Sequence, residues 1–187
     1  MADIQRPYLI LVMEPKNYYE LMAQYNKWMD SKLYSVCAEI PDADRRKDMG
    51  AFFKSIHGTL NHIYFGDIAW IERLRDQKFT PRELGVDLFD DFNDLREAQE
   101  KMDDEILLWS QTLSDEFLNK PYDYVSNVDM EMRIMPTWVL AVHMFNHQTH
   151  HRGQLTTLIK QLGYEPGITD IPWLPSLGSP EQQNTQP

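Results

Sequence analysis

Hydrophobic residues recur along this chain at steps of three and four, in four separate runs. Between Glu14 and Glu39 the residues Tyr18, Leu21, Met22, Tyr25, Met29, Leu33 and Val36 keep the helical period rather than the two-residue period of a strand. Pro41, Asp42 and the charged stretch Asp44–Asp48 interrupt it as a polar turn. A second helix is expected over Gly50–Asp76, with Phe53, Ile56, Leu60, Ile63, Trp70 and Leu74 on one stripe. Residues Gln77–Asp87, with Pro81 and Gly85, have no period. Extended, that stretch reaches ~36–40 Å, about the length of a 25-residue helix, so it can cross over the whole length of a bundle. The third run, Leu88 to about Thr112, turns Phe92, Leu95, Met102, Ile106 and Trp109 inward, and its acidic first turn suits the helix dipole.

The period then changes. Tyr122, Tyr124, Val125, Val128, Met130, Met132 and Ile134 largely alternate, which predicts a short hairpin turning near Ser126–Asp129. Pro136 is expected to open a fourth helix that Gly163 ends. A Pro- and Gly-rich segment follows, and the polar end of the chain, residues 176–187, is expected to be a disordered tail. Four long helices and one small hairpin make an all-α bundle within a single domain of residues 1–175.

Composition narrows the function. Of 187 residues, 42% are hydrophobic and 25% charged, enough apolar surface to fold; the net charge of −11 repels phosphate backbones and anionic lipids, which argues against nucleic-acid and membrane partners. No stretch of ~20 residues is apolar enough to span a bilayer, and Met1–Tyr8 carries Asp3 and Arg6 in place of a secretion signal, so a cytoplasmic protein is expected. The single Cys37 rules out an intramolecular disulfide or a cysteine zinc cluster and reads as a buried structural thiol.

The chemistry is concentrated in histidine. All six fall in two segments, His57 and His62 on the second helix and His143, His147, His150 and His151 on the fourth. At 100° per residue, His147 lies within about 40° of His151, and so do Leu140, Met144, Leu155, Leu158 and Leu162. Two imidazoles on adjacent turns thus replace core residues in an apolar stripe, where each needs a partner. A shared metal ion is one such partner, and hydrogen-bonded core histidines are the alternative. His143 and His150 lie ~80–100° off the stripe, on the polar flank. His57 and His62 are about 140° apart, so only one of them can join the same ion. Gly66 and Ala69 leave a groove beside His62, while His57 lies beside Asn61 and Tyr64.

Two segments carry a resemblance: Ser55-Ile56-His57-Gly58-Thr59-Leu60-Asn61-His62-Ile63 with Asp67 and Trp70, and His143-Met144-Phe145-Asn146-His147-Gln148-Thr149-His150-His151-Arg152-Gly153-Gln154. They resemble the DinB-like (YfiT-like) four-helix bundle family, over roughly residues 14–175. The resemblance implies an up-down-down-up bundle, usually a homodimer, with a divalent metal between the second and fourth helices held by His62, His147 and His151. Better understood members are metal-dependent transferases that use low-molecular-weight thiols such as bacillithiol and mycothiol, and an isomerase of maleylpyruvate.

Three neutral imidazoles leave a 2+ ion at least one open position, and three nitrogens suit zinc, nickel or iron. Such a site activates a thiol or a water, so the expected function is a thiol-transferase-like or hydrolase-like enzyme acting on a small molecule, with a small thiol as a candidate cofactor. The competing expectation is a metal-binding or ligand-sensing stress-response dimer without turnover. Asp67, on the apolar stripe, is a candidate outer partner or general base, against a buried ion pair with Arg152. His150, Arg152 and Gln154 are placed near or at the site's rim. Tyr18, Tyr19, Tyr25 and Trp28 are expected in the core. Trp28, Phe52, Ile68 and Ile71 lie off the main core lines and are expected to cover a dimer contact.

Overall fold

The four helical runs fold as four long helices in a computed structural model that describes residues 15–75, 83–126 and 129–178. In chain order the elements are α1 (Pro15–Glu39), α2 (Asp42–Arg45), α3 (Ile56–Leu74), α4 (Phe92–Gln111), α5 (Asp115–Asn119), β1 (Pro121–Val125), β2 (Met132–Pro136) and α6 (Thr137–Gln161). Two 3-10 turns follow, Ile171–Trp173 and Pro175–Leu177. The described residues are mostly helical, with one small antiparallel sheet. α1 packs chiefly on α4, and α3 on α6; lesser contacts of α1 with α6 and α3 with α4 join the two pairs. Leu33, Ile56, Leu60, Ile71, Leu95 and Ile106 are fully buried there, each contributing ~1.5–3 kcal/mol by leaving water.

Capping chemistry moves two helix starts. The second run begins at Ile56 rather than Gly50, because the Ser55 hydroxyl accepts the Gly58 amide at 3.0 Å and fixes the first turn there. Just upstream, Lys54 takes a left-handed φ of 63° and pairs with Ala51 in an isolated bridge, which removes Phe53 from the helix. The third run begins at Phe92 rather than Leu88, because the Asp91 carboxylate accepts from Asn93 and Asp94 at 2.7 and 3.0 Å. The polar turn contains the short α2, and α5 precedes the hairpin; periodicity over so few residues reveals neither.

Residues 76–82 of the crossover lie outside the described residues. Its far end is fastened to α3 by Asn61, whose Oδ1 accepts the Leu88 and Phe89 amides at 2.9 Å each, and by His57, whose Nε2 lies 3.0 Å from the Phe89 carbonyl. The hairpin forms as expected, pairing Pro121 with Pro136 through Val125 with Met132. Pro136 is its last residue rather than a helical one, and Thr137 N donates to Lys120 O at 2.9 Å, so α6 starts directly off the sheet. Gly163 ends α6 with a φ of 87°, and Tyr164 N bonds back to Ile159 O. Of the expected tail, residues 176–178 run through the second 3-10 turn, where Ser176 bonds Gln24 at 2.7 Å, and 179–187 lie outside the described residues.

Two of the four residues expected to cover a dimer contact are used inside the chain: Ile71 is fully buried and Ile68 nearly so. Trp28 packs partly against the core, and Phe52 is the exposed one. Tyr19 and Tyr25 are buried in the core, with Tyr18 and Trp28 packed against it. Cys37 is fully buried on α1, and burial pushes its thiol up to about 12. No helix among the described residues is long and apolar enough to cross a membrane.

Candidate metal site

α3 and α6 lie against each other with His62 on one and His147 and His151, a turn apart, on the other. The Nε2 atom of His62 is 3.1 Å from Nε2 of His147 and 3.1 Å from Nε2 of His151. Three ring nitrogens therefore aim at one point, where protons can satisfy only some of them. The two distances from His62 are close to the ~3.3 Å edge of a tetrahedral set of nitrogens bound at ~2.0–2.1 Å, and all three ligand atoms lie within 4.8 Å of one another. Such a group could hold a metal ion.

The rings are held in that aim by neighbours of different kinds. Phe53, displaced from the helix, stacks on His62 with centroids 3.7 Å apart and planes 17° from parallel. Gly66 gives His147 its room, since a Cβ there would lie 2.6 Å from the ring's Cε1. Gln154 accepts from His151 Nδ1 at 2.8 Å, and its Nε2 donates to His150 at 3.2 Å. A proton on His151 Nδ1 leaves the lone pair on Nε2, the tautomer a metal needs.

Electrostatics favour neutral rings. Burial pushes His62 and His147 down to about 3, helped by neighbouring histidines, and burial also lowers His151 and His143. Among the described residues the buried Nδ1 atoms of His62 and His147 have no hydrogen-bond partner, so neither ring gains a contact there that would favour its charged form.

The triad opens onto a cavity of about 530 Å³, walled mainly by Phe52, Phe53, Phe65, Trp70 and Tyr124, with Arg73 also on its lining. His143 and His150 line it as well; His143 lies edge-on to Trp70 at 4.8 Å. Of the residues singled out from sequence, Gln154 and His150 therefore lie at the site and His143 lines its cavity. His57 lies apart, tied to the crossover. Asp67 and Arg152 are also elsewhere. Asp67 accepts from Gln99 at 2.8 Å and from Gln148, and among the described residues no hydrogen bond joins it to an imidazole. Arg152 is buried in the core, bonded to Asn26 and 3.5 Å from Asp30. Sequence reasoning missed the aromatic walls, which come from a turn, α3 and a hairpin strand and share no local pattern.

This arrangement belongs to a class of helical protein with a histidine centre between two packed helices, and the sequence places the chain within it: the profile of the DinB family matches residues 13–184, so the chain belongs to the DinB family. It is similar to Protein DinB of Bacillus subtilis (strain 168), with 27% identity over 152 residues, covering 79% of this chain and 87% of that protein.

Proposed function

We propose that this protein is a metal-dependent enzyme in which His62, His147 and His151 hold one divalent transition metal, zinc, nickel or iron, at the floor of the aromatic cavity. The observation that carries this reading is the clustering of three imidazole nitrogens, with His62 Nε2 3.1 Å from the Nε2 atoms of both His147 and His151, on the lining of that cavity. A metal held by these three residues would lower the pKa of a thiol or water, the chemistry that makes a nucleophile available at neutral pH. The chain's own residues do the rest. Phe53 and Gln154 fix two of the rings, and the apolar walls limit competing water and favour an apolar electrophile or thiol. His143 and His150, on the cavity lining, are the imidazoles placed to accept or return a proton.

In this reading residues 1–175 form one up-down-down-up four-helix bundle, and the protein works as a cytoplasmic homodimer on a small molecule. The test is elemental analysis of the purified protein and its variants, followed by a screen of small thiols and water against electrophiles. His147→Ala should lose stoichiometric metal and His143→Ala should keep it. Full metal in the first variant refutes the ligand assignment. Exchangeable metal without turnover of any thiol or electrophile favours a ligand-sensing role instead.

A further inference from the structure

A second constellation, which the histidine centre does not use, lies among the four long helices. Asp30 of α1, Asp67 of α3 and Asp103 of α4 bring carboxylate oxygens within 4.8 Å of one another, and each is at least 97% buried. α6 contributes Gln148 and Arg152, α4 adds Gln99, and α1 adds Asn26 and Tyr34, all buried too. Gln99 and Gln148 donate their amide nitrogens to Asp67, and Asn26 donates to Asp103 at 3.0 Å. Arg152, the cation seen against this layer among the described residues, is ion-paired with Asp30, its Nη1 3.5 Å from Oδ2, and also bonds Asn26.

Three carboxylates against one guanidinium leave two negative charges in a core that excludes water, an arrangement that is heavily penalised unless compensated. Among the described residues the Tyr34 hydroxyl, Gln99 Oε1 and Gln148 Oε1 of this layer have no hydrogen-bond partner, and Asp30 Oδ2 has only the 3.5 Å ion pair with Arg152. All four are oxygens. Tyr34 is 2% exposed, and burial, followed by the three carboxylates, holds the pKa of its hydroxyl up. Unpartnered oxygens around a net negative centre call for something positive. A water offers two donors and no charge; two protons would neutralise the carboxyls, and the Tyr34 hydroxyl can donate its own. A hard divalent cation cancels both charges and takes six or more oxygen ligands.

We propose that Asp30, Asp67 and Asp103, with the amide oxygens of Gln99 and Gln148, form a second site for a hard, oxygen-ligated divalent cation of the Mn2+ or Ca2+ class. It differs from the histidine centre in donor chemistry and in having every long helix contribute. Without a cation the layer binds protons: burial raises all three carboxyls, Asp67 to about 7, so protons and cation compete for the same oxygens.

The test uses the full-length His147→Ala protein, stripped with chelator and titrated with Mn2+, the bound ion being counted by loss of the free Mn2+ spectrum in electron paramagnetic resonance. One Mn2+ per chain is expected, with a higher melting temperature in Mn2+ or Ca2+, and both effects should vanish in the same protein carrying Asp67→Asn and Asp103→Asn. Should the double variant fold poorly, Asp103→Asn alone should already lower the Mn2+ affinity, and unchanged affinity in that folded protein would overturn the site. Binding that survives in folded Asn variants would place the ion on surface carboxylates and overturn the site. Absence of Mn2+ and Ca2+ binding, with stability that falls as pH rises through 7, would assign the layer to protons instead.

Discussion

Replacing Gly66 by Ala separates the metal site from the fold. An added Cβ would lie 2.6 Å from Cε1 and 2.8 Å from Nδ1 of His147, whereas nonbonded carbons settle at ~3.5–4.0 Å. The imidazole must retreat by about 1 Å, several times the ~0.2 Å tolerance of a metal–ligand distance. Its Nε2 would leave the point it shares with His62 and His151. Helix propensity acts in the opposite direction, since Ala in a helix interior is ~0.8–1.0 kcal/mol better than Gly. Gly66→Ala should therefore fold with its metal-free stability largely kept, while its metal affinity falls 10–100-fold, or ~1.4–2.7 kcal/mol. The assay is competition with a chromophoric chelator for Zn2+ or Ni2+, alongside urea melts in chelator. Gly153→Ala is the control, because a Cβ there meets nothing within 4 Å; it should gain stability and leave affinity unchanged. A Gly66→Ala protein that binds metal within twofold of the parent refutes the claim that this glycine sets the position of His147.

Three further outcomes are expected. Gln154→Ala should lower metal affinity about 10–100-fold with little change in melting temperature, because it releases His151 Nδ1 without opening the core; unchanged affinity in a competition titration counts against it. In metal-free protein, His62 and His147 have folded values near 3 against ~6.5 unfolded, so the unfolded chain takes up protons first and stability is lost as pH falls from about 6.5 towards 3. After allowing for screening by the open cavity, about 1 kcal/mol per ring should be gone by pH 5; urea melts at pH 7.5 and 5 that do not differ would contradict neutral, buried rings. Ser55→Ala should remove the α3 cap and cost ~1 kcal/mol by thermal melting while the protein still binds metal, since the cap lies outside the triad.

What the chain discloses in advance depends on how local the signal is. His147 and His151 stand out because polar rings at core positions of one helix break an otherwise apolar stripe. His62 does not stand out from His57 by face alone, because both are buried: one joins the triad, and the other serves the crossover through the Phe89 carbonyl. That decision needed the motif. Helix starts at Ile56 and Phe92 escape periodicity because a single capping side chain outweighs several apolar residues upstream. Arg152 reads as a rim residue beside His151, yet one residue is a 100° turn, enough to direct it into the core. The acidic layer is illegible for a related reason. Asp30, Asp67 and Asp103 sit on three different helices, and only packing brings them together.

The burial of Cys37 has a consequence for how this protein meets oxidants. A thiol with a pKa near 12 and no exposed surface carries almost no thiolate at neutral pH, and thiolate is the species that alkylating agents, peroxides and disulfides attack. With the sequence's single cysteine so withdrawn, the folded chain cannot readily form a mixed disulfide with a small thiol or be glutathionylated under stress. Any modification of the native protein by iodoacetamide or hydrogen peroxide would therefore report on side chains other than Cys37, such as its imidazoles and methionines.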